Sequence, residues 1–264
     1  MNRVTLMALA SLSFVLLEHP VHAQRGRGQG GPPPAAKAAA PVDVTGYWVS
    51  VVTEDWRFRM LTPRKGDYES VPLTAEAKRV ADAWDPAKDE AAGDQCKTYG
   101  PPGIMRAPGR LHITWDTNDT LRIDADAGTQ TRLLHFGGSP AATDAATLEG
   151  QTSAEWERSG GRPGPNIPGG AAAVVSATAG QHGWLKAVTT RMRPGYLRKN
   201  GVPYSGNAVL TEYFDRLETG SQTWLIVTQM IEDPQYLTST FVVSSNFRKE
   251  PDGSKWNPTP CSTR

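Results

Sequence analysis

The feature that most restricts what this chain can fold into is a period-two alternation of apolar and polar residues, repeated in short segments between turn signals. Eight segments carry it: Val44–Thr53, Arg110–Asp116, Thr120–Asp126, Thr129–Phe136, Trp184–Met192, Asn207–Leu217, Thr223–Ile231 and Ser239–Arg248. They are rich in β-branched and aromatic residues, which suit a pleated surface with one buried face. Thr117-Asn118-Asp119 and Ala127-Gly128 read as hairpin turns, and Gly220 marks another. Trp56–Leu61 reads as a continuation of the first strand beyond a bend. The spacing predicts one helix, Thr74–Glu90, capped by Thr74 and interrupted by Pro86. Residues 93–108 read as loop. Residues 137–183 read as a long Gly/Ala-rich insert in which only Ser153–Arg158 looks helical, and loops of that length are lids, binding loops or disorder. Eight strands paired in sequence order predict an all-β fold, an eight-stranded antiparallel up-and-down barrel able to hold one small ligand. A two-sheet sandwich satisfies the same spacing.

The first residues carry the three parts of a secretory signal: Arg3, an apolar run from Val4 to Leu17, and Val21-His22-Ala23 before a cleavage point. The run is too short for a bilayer span of about 20 residues, so no stable membrane insertion is expected. The organisation read from the chain is a signal peptide over 1–23, a disordered Gly/Pro/Ala spacer over 24–41 and a single β-barrel domain over 42–264, exported to a periplasm or beyond the cell. An oxidising compartment favours a disulfide between the only two cysteines, Cys96 and Cys261; the alternative is a catalytic or metal-binding thiol. With the signal and spacer removed, 24 basic residues stand against 26 acidic ones. That balance offers no nucleic-acid surface, which needs clustered positive charge.

Chemistry-bearing motifs are sparse. There is no phosphate-binding loop, no dinucleotide fingerprint, no nucleophile elbow and no metal-ligand spacing among His112, His135 and His182, so no cofactor and no metal are expected. Period two puts His112, Thr114 and Asp116 on one strand face and Leu111, Ile113 and Trp115 on the other. If the polar face lines a lumen, His112 is a candidate general base and Asp116 a ligand partner; otherwise that face meets water. Glu212, among Leu210 and Phe214, is a second candidate acid or base through a raised pKa, or else the partner of an arginine across the sheet. Arg198, Lys199 and Tyr204 in one loop, with Asp233 and Tyr236 in another, form a candidate rim suited to an anionic or carbonyl-bearing ligand. Arg106, Lys199 and Tyr204 are candidates to polarise it. Eight tryptophans, Trp115 among them, supply candidate pocket walls.

Two short motifs carry a resemblance. Gly46-Tyr47-Trp48 opens the first strand and resembles the G-x-W signature of the lipocalins. Leu210-Thr211-Glu212-Tyr213, in the sixth predicted strand, is similar to their T-D-Y signature, with Glu212 departing from the usual Asp. The resemblance implies that Trp48 plugs one end of a barrel and that an arginine near the last strand, here Arg248, lies across its ring by a cation–π contact. Segments such as Leu197–Ser205 and Glu232–Leu237 also resemble those of a large group of exported bacterial proteins. The functional expectation is a lipocalin-like protein binding a small, mostly apolar molecule in the barrel. The alternative is a cofactor-free acid/base enzyme (isomerase, lyase, cyclase or hydrolase) with His112 or Glu212 as base.

Overall fold

The computed structural model describes residues 33–138, 145–158 and 182–263. The expected signal peptide, the start of the spacer (24–32) and much of the expected insert lie outside them. Nine strands close a barrel. In chain order they are β1 (Gly46–Val51), β2 (Arg110–Thr117), β3 (Thr120–Ala125), β4 (Gln130–Phe136), β5 (Gln151–Arg158), β6 (Gly183–Thr190), β9 (Val209–Thr219), β10 (Gln222–Glu232) and β11 (Phe241–Glu250). Around the ring the order is β1-β11-β10-β9-β6-β5-β4-β3-β2, with β2 pairing back to β1. The short strands β7 (Gly195–Arg198) and β8 (Val202–Tyr204) form a separate hairpin.

The expectation of eight antiparallel strands is thus corrected to nine in a mixed barrel. The eight expected strands match β1 to β4, β6 and β9 to β11; the extra one is β5, read from sequence as helix. Its residues Ser153-Ala154-Glu155-Trp156-Glu157-Arg158 include good helix formers, but the gap between β4 and β6 recruits them as a strand, with Thr152, Ala154 and Trp156 facing inward. A closed ring of nine cannot alternate direction throughout. Its one parallel pair is β4–β5, and the connection over 137–150 meets the dozen or so residues that a parallel crossover needs.

The predicted helix is two. Thr74 does cap the first, α3 (Ala75–Ala83), accepting from the Ala77 N–H. Pro86 then starts α4 (Pro86–Ala91), because proline fits a first helical turn but disfavours the helical backbone at the residue before it. Two other readings change. Trp56–Arg59 is a helical turn, α2, instead of strand, and the expected loop holds α5 (Pro101–Ile104) after a 3₁₀ turn at Lys97–Tyr99. Residues 33–41, within the expected spacer, include α1 (Ala36–Ala39), whose Ala36 and Lys37 amides bond to Asp119 and Asn118 in the β2–β3 turn.

Alternation sorts the side chains. Trp48, Ile113, Leu121, Ile123, Leu134, Leu185, Phe214, Leu225, Val227 and Phe247 face inward and are essentially inaccessible to solvent, filling the barrel. At one end, residues 52–108 and 191–208 form a cap, joined to the barrel by a second core that includes Leu73, Ala77, Met192, Val202 and Tyr204. At the other end, the segment around α1 runs across the barrel mouth as a strap. The Cys96–Cys261 disulfide forms, with Cα atoms 5.1 Å apart, and ties the C-terminal tail to the cap. Among the described residues no helix is long and apolar enough to cross a membrane.

Trp48 is fully buried, and its indole N–H donates to the Val44 carbonyl. The cation over its ring is Lys249, with Nζ 5.3 Å from the centroid, and not Arg248. Arg248 points outward because β11 turns Phe247 and Lys249 to the inside. Gly46 takes φ +112°, and a Cβ there would press on the Lys249 stem at 3.1 Å, so the glycine of the motif serves the same contact.

Candidate functional site

The strap end gathers aromatic rings. Trp115 near the end of β2, Phe136 at the end of β4 and Trp156 in β5 face inward at the rim, with centroids 5.6 Å apart for Trp115–Phe136 and 5.3 Å for Phe136–Trp156. Trp156 reaches this rim because β5 runs parallel to β4, with Ala154 level with Phe136 and Trp156 two residues beyond it. The Trp156 indole N–H donates to the Ala36 carbonyl, which fixes the strap above the rings. Between strap and rings lies a hollow of about 400 Å³, open on one side, walled by Trp115, Trp156, Val42 and Val44, with Lys37 and Asp43 as its charged groups. Burial pushes the Asp43 carboxyl up, but hydrogen bonds from the Thr45 hydroxyl and amide outweigh this and hold it below its ordinary value. The hollow therefore offers apolar and aromatic surface with one basic side chain, Lys37, and the Asp43 carboxylate at its edge.

The cap end carries a buried polar layer. Arg132 of β4 donates from both terminal nitrogens to the two oxygens of Glu212 in β9, and both side chains are sealed from solvent. Gln229 of β10 bonds Glu212 at 3.2 Å and the Pro101 carbonyl of the cap at 3.1 Å, and the Thr152 and Thr189 hydroxyls pair at 2.8 Å beside Arg132. Burial acts against the Arg132 charge, but Glu212 outweighs it and raises its pKa. Of the two outcomes expected for Glu212, the ion pair is the one that forms.

A carboxyl with a raised pKa stands nearby at Glu149, just before β5. Burial takes it to about 7, against an opposing pull from Arg132 and with a smaller repulsion from Glu212. Both of its carboxylate oxygens are buried without a hydrogen-bond partner among the described residues. The Tyr204 hydroxyl is also buried and unpartnered, in a slot where a Cβ on Gly100 or Gly195 would collide with it. Burial first, and then the Glu149 charge, raise its pKa. No pattern in the sequence marks Glu149, which stands in irregular chain beside Gly150; the positive φ of that glycine, +65°, is the local sign of a tight entry into β5.

The remaining expected site residues are scattered. His112 faces outward, stacked on Tyr47 at 4.0 Å and 4° between planes, with Trp256 of the tail edge-on, so it lies outside the lumen. Asp116 is exposed on the same outer face. His112 and Glu212 thus do not converge. Tyr236 is half-buried against the second core, and its carbonyl accepts from the Thr74 amide. Arg106 and Lys199 line one small cleft in the cap, which Tyr204 does not line; Tyr204 is packed in the second core against Gly100 and Gly195. Among the described residues no three His, Cys, Asp or Glu side chains group as metal ligands.

Comparison of the chain with protein-family models, with curated proteins and with solved structures returns no match in any of the three.

Proposed function

We propose that this is an exported, lipocalin-like protein that binds a small, mostly apolar molecule against Trp115 and Trp156 at the strap end of its barrel. The hollow there carries the reading. Its volume falls in the range of roughly 300–1,000 Å³ common to small-molecule sites, and aromatic walls with a few polar groups are their usual lining. The barrel interior beyond the rings is filled by interlocking side chains, so the molecule rests at the mouth and not in the lumen. Export is supported by the secretory pattern over 1–23 and agrees with the disulfide.

The test uses the uncharged fluorescent probe N-phenyl-1-naphthylamine. The expected result is saturable fluorescence enhancement that falls at least tenfold in apparent affinity in Trp156→Ala and Trp115→Ala, with near-UV circular dichroism showing retained folding. Binding that is absent, or unchanged in both variants, overturns the proposal.

A second reading, cofactor-free acid/base catalysis, draws on Glu149 and Tyr204: a carboxyl able to exchange a proton near neutrality beside an unpartnered phenol. Native mass spectrometry of protein purified from its own host separates the two. A compound returned unchanged supports binding alone, and a chemically altered one supports catalysis.

A further inference from the structure

The cap contains a second cleft, far from the strap, whose lining is of a different chemical kind. It lies between Phe58 and Arg59 of α2, Tyr99, Arg106, Arg198 at the end of β7 and Lys199 just after it, and encloses about 30 Å³. That is room for a group the size of a carboxylate and little more.

Three arginines approach it, each more than nine-tenths buried: Arg59, Arg106 and Arg198 at 6%, 5% and 3% exposure. Arg59 is fully committed, donating to the Arg106 carbonyl, Glu54 and Ser50. Arg106 donates from Nη2 to Asp55 at 2.8 Å, while its Nη1 is buried without a partner. Arg198 is the least satisfied. It donates from Nη1 to the Glu69 carbonyl at 2.7 Å, and its Nε and Nη2 are both buried and unpartnered. Among the described residues no carboxylate lies within ion-pairing distance of it. Its guanidinium instead lies over the Phe58 ring, with Cζ 3.9 Å from the centroid.

Nε and Nη2 lie on the same side of a guanidinium and form the fork that grips both oxygens of a carboxylate side-on. Unpaired buried donors on a cation are costly, and here the two that lack partners are that fork. Arg106 Nη1 adds a third donor. The neighbouring acids Glu54 and Asp55 are already bonded to Arg59 and Arg106, and Asp67 and Glu69 are bonded to Arg57. Burial and the nearby Arg106 push the Arg198 pKa down to about 10, still well above neutrality, so the group stays charged.

We propose that this cleft is a binding site for the carboxylate of a small organic acid, gripped side-on by Arg198 and from the flank by Arg106. The acid's body lies against Phe58 and Tyr99, whose ring faces already attract the Arg198 and Lys199 cations.

The site is tested by isothermal titration of the whole protein with benzoate, acetate and inorganic phosphate, each against chloride at matched ionic strength. Saturable benzoate binding is expected, with weaker acetate binding and the weakest signal from phosphate, whose tetrahedral head is broader than the planar carboxylate that the enclosed space admits. Arg198→Gln and Arg198→Lys are each expected to weaken benzoate at least about tenfold, since charged hydrogen bonds are lost in the first and the fork in the second. In the wild-type protein, the Arg198 Nε–H resonance is expected to shift on titration, which reads the contact without any variant. Naphthylamine binding at the strap end should be unchanged in Arg198→Gln, so failure of one site is distinguishable from failure of the other. No saturable benzoate binding, an unmoved Arg198 resonance, or undiminished binding in both Arg198 variants overturns the assignment. Phosphate binding more tightly than benzoate overturns the choice of carboxylate.

Discussion

Replacing Glu149 with glutamine keeps the shape of the side chain and removes its ability to ionise. In the folded protein the Glu149 carboxyl titrates at about 7 against an ordinary value of 4.5, so folding favours its protonated form. The folded state then binds more protons than the unfolded state between those two values, and stability falls as pH rises through that window. Below about 4.5 both states are protonated and the penalty is absent; above about 7 it is complete. At 1.36 kcal/mol per unit, the full penalty is about 3 kcal/mol. Urea unfolding with the disulfide intact, followed from pH 4 to 8 for wild type and Glu149→Gln, isolates this one group, because every other titration is shared. The expected outcome is a stability difference in favour of the variant that grows by about 3 kcal/mol across the window and then levels off. Parallel stability curves would show that the carboxylate is solvated or partnered in the folded protein, and the reasoning would fail.

Two further predictions concern stability alone. Glu212→Gln should cost about 3–5 kcal/mol by stranding the buried Arg132 charge, whereas Arg132→Met combined with Glu212→Leu should cost much less; equal losses in urea melts would contradict this. Removing the Cys96–Cys261 bridge by a double alanine substitution should lower stability by up to about 5 kcal/mol in the chain-entropy account of a loop this long. It should also speed hydrogen exchange in residues 252–263, and an unchanged tail would show that the bridge does not hold it.

The barrel was legible where one strand face reports its own burial. His112 and Trp115 could be assigned to opposite faces from alternation alone, although not which face was inside. Arg248 and Lys249 show the limit: both are cations near the end of β11, and only the register against Trp48 decides which one reaches the ring. The Arg132–Glu212 pair was open as a possibility, but its partners stand eighty residues apart and meet across a closed interior, which no local pattern encodes. β5 was misread because its composition favours a helix while its position, between two strands that need a neighbour, favours a strand. Glu149 left no trace, since its perturbation comes wholly from what folds around it. In the cap, Arg198 was visible as a loop cation, but its open fork depends on Phe58, some 140 positions earlier, being delivered beneath it.

The parallel pair gives the ring an uneven strength. β9 and β10 are matched over eleven residue rows, whereas β4 and β5 are matched over three, from Leu134–Thr152 to Phe136–Ala154. A cylinder laced this way has a seam, and it lies beside Phe136 and Trp156, at the floor of the strap-end hollow. The shortest ladder of the ring runs along that line, so the wall most able to yield to an incoming molecule is the one that carries Trp156.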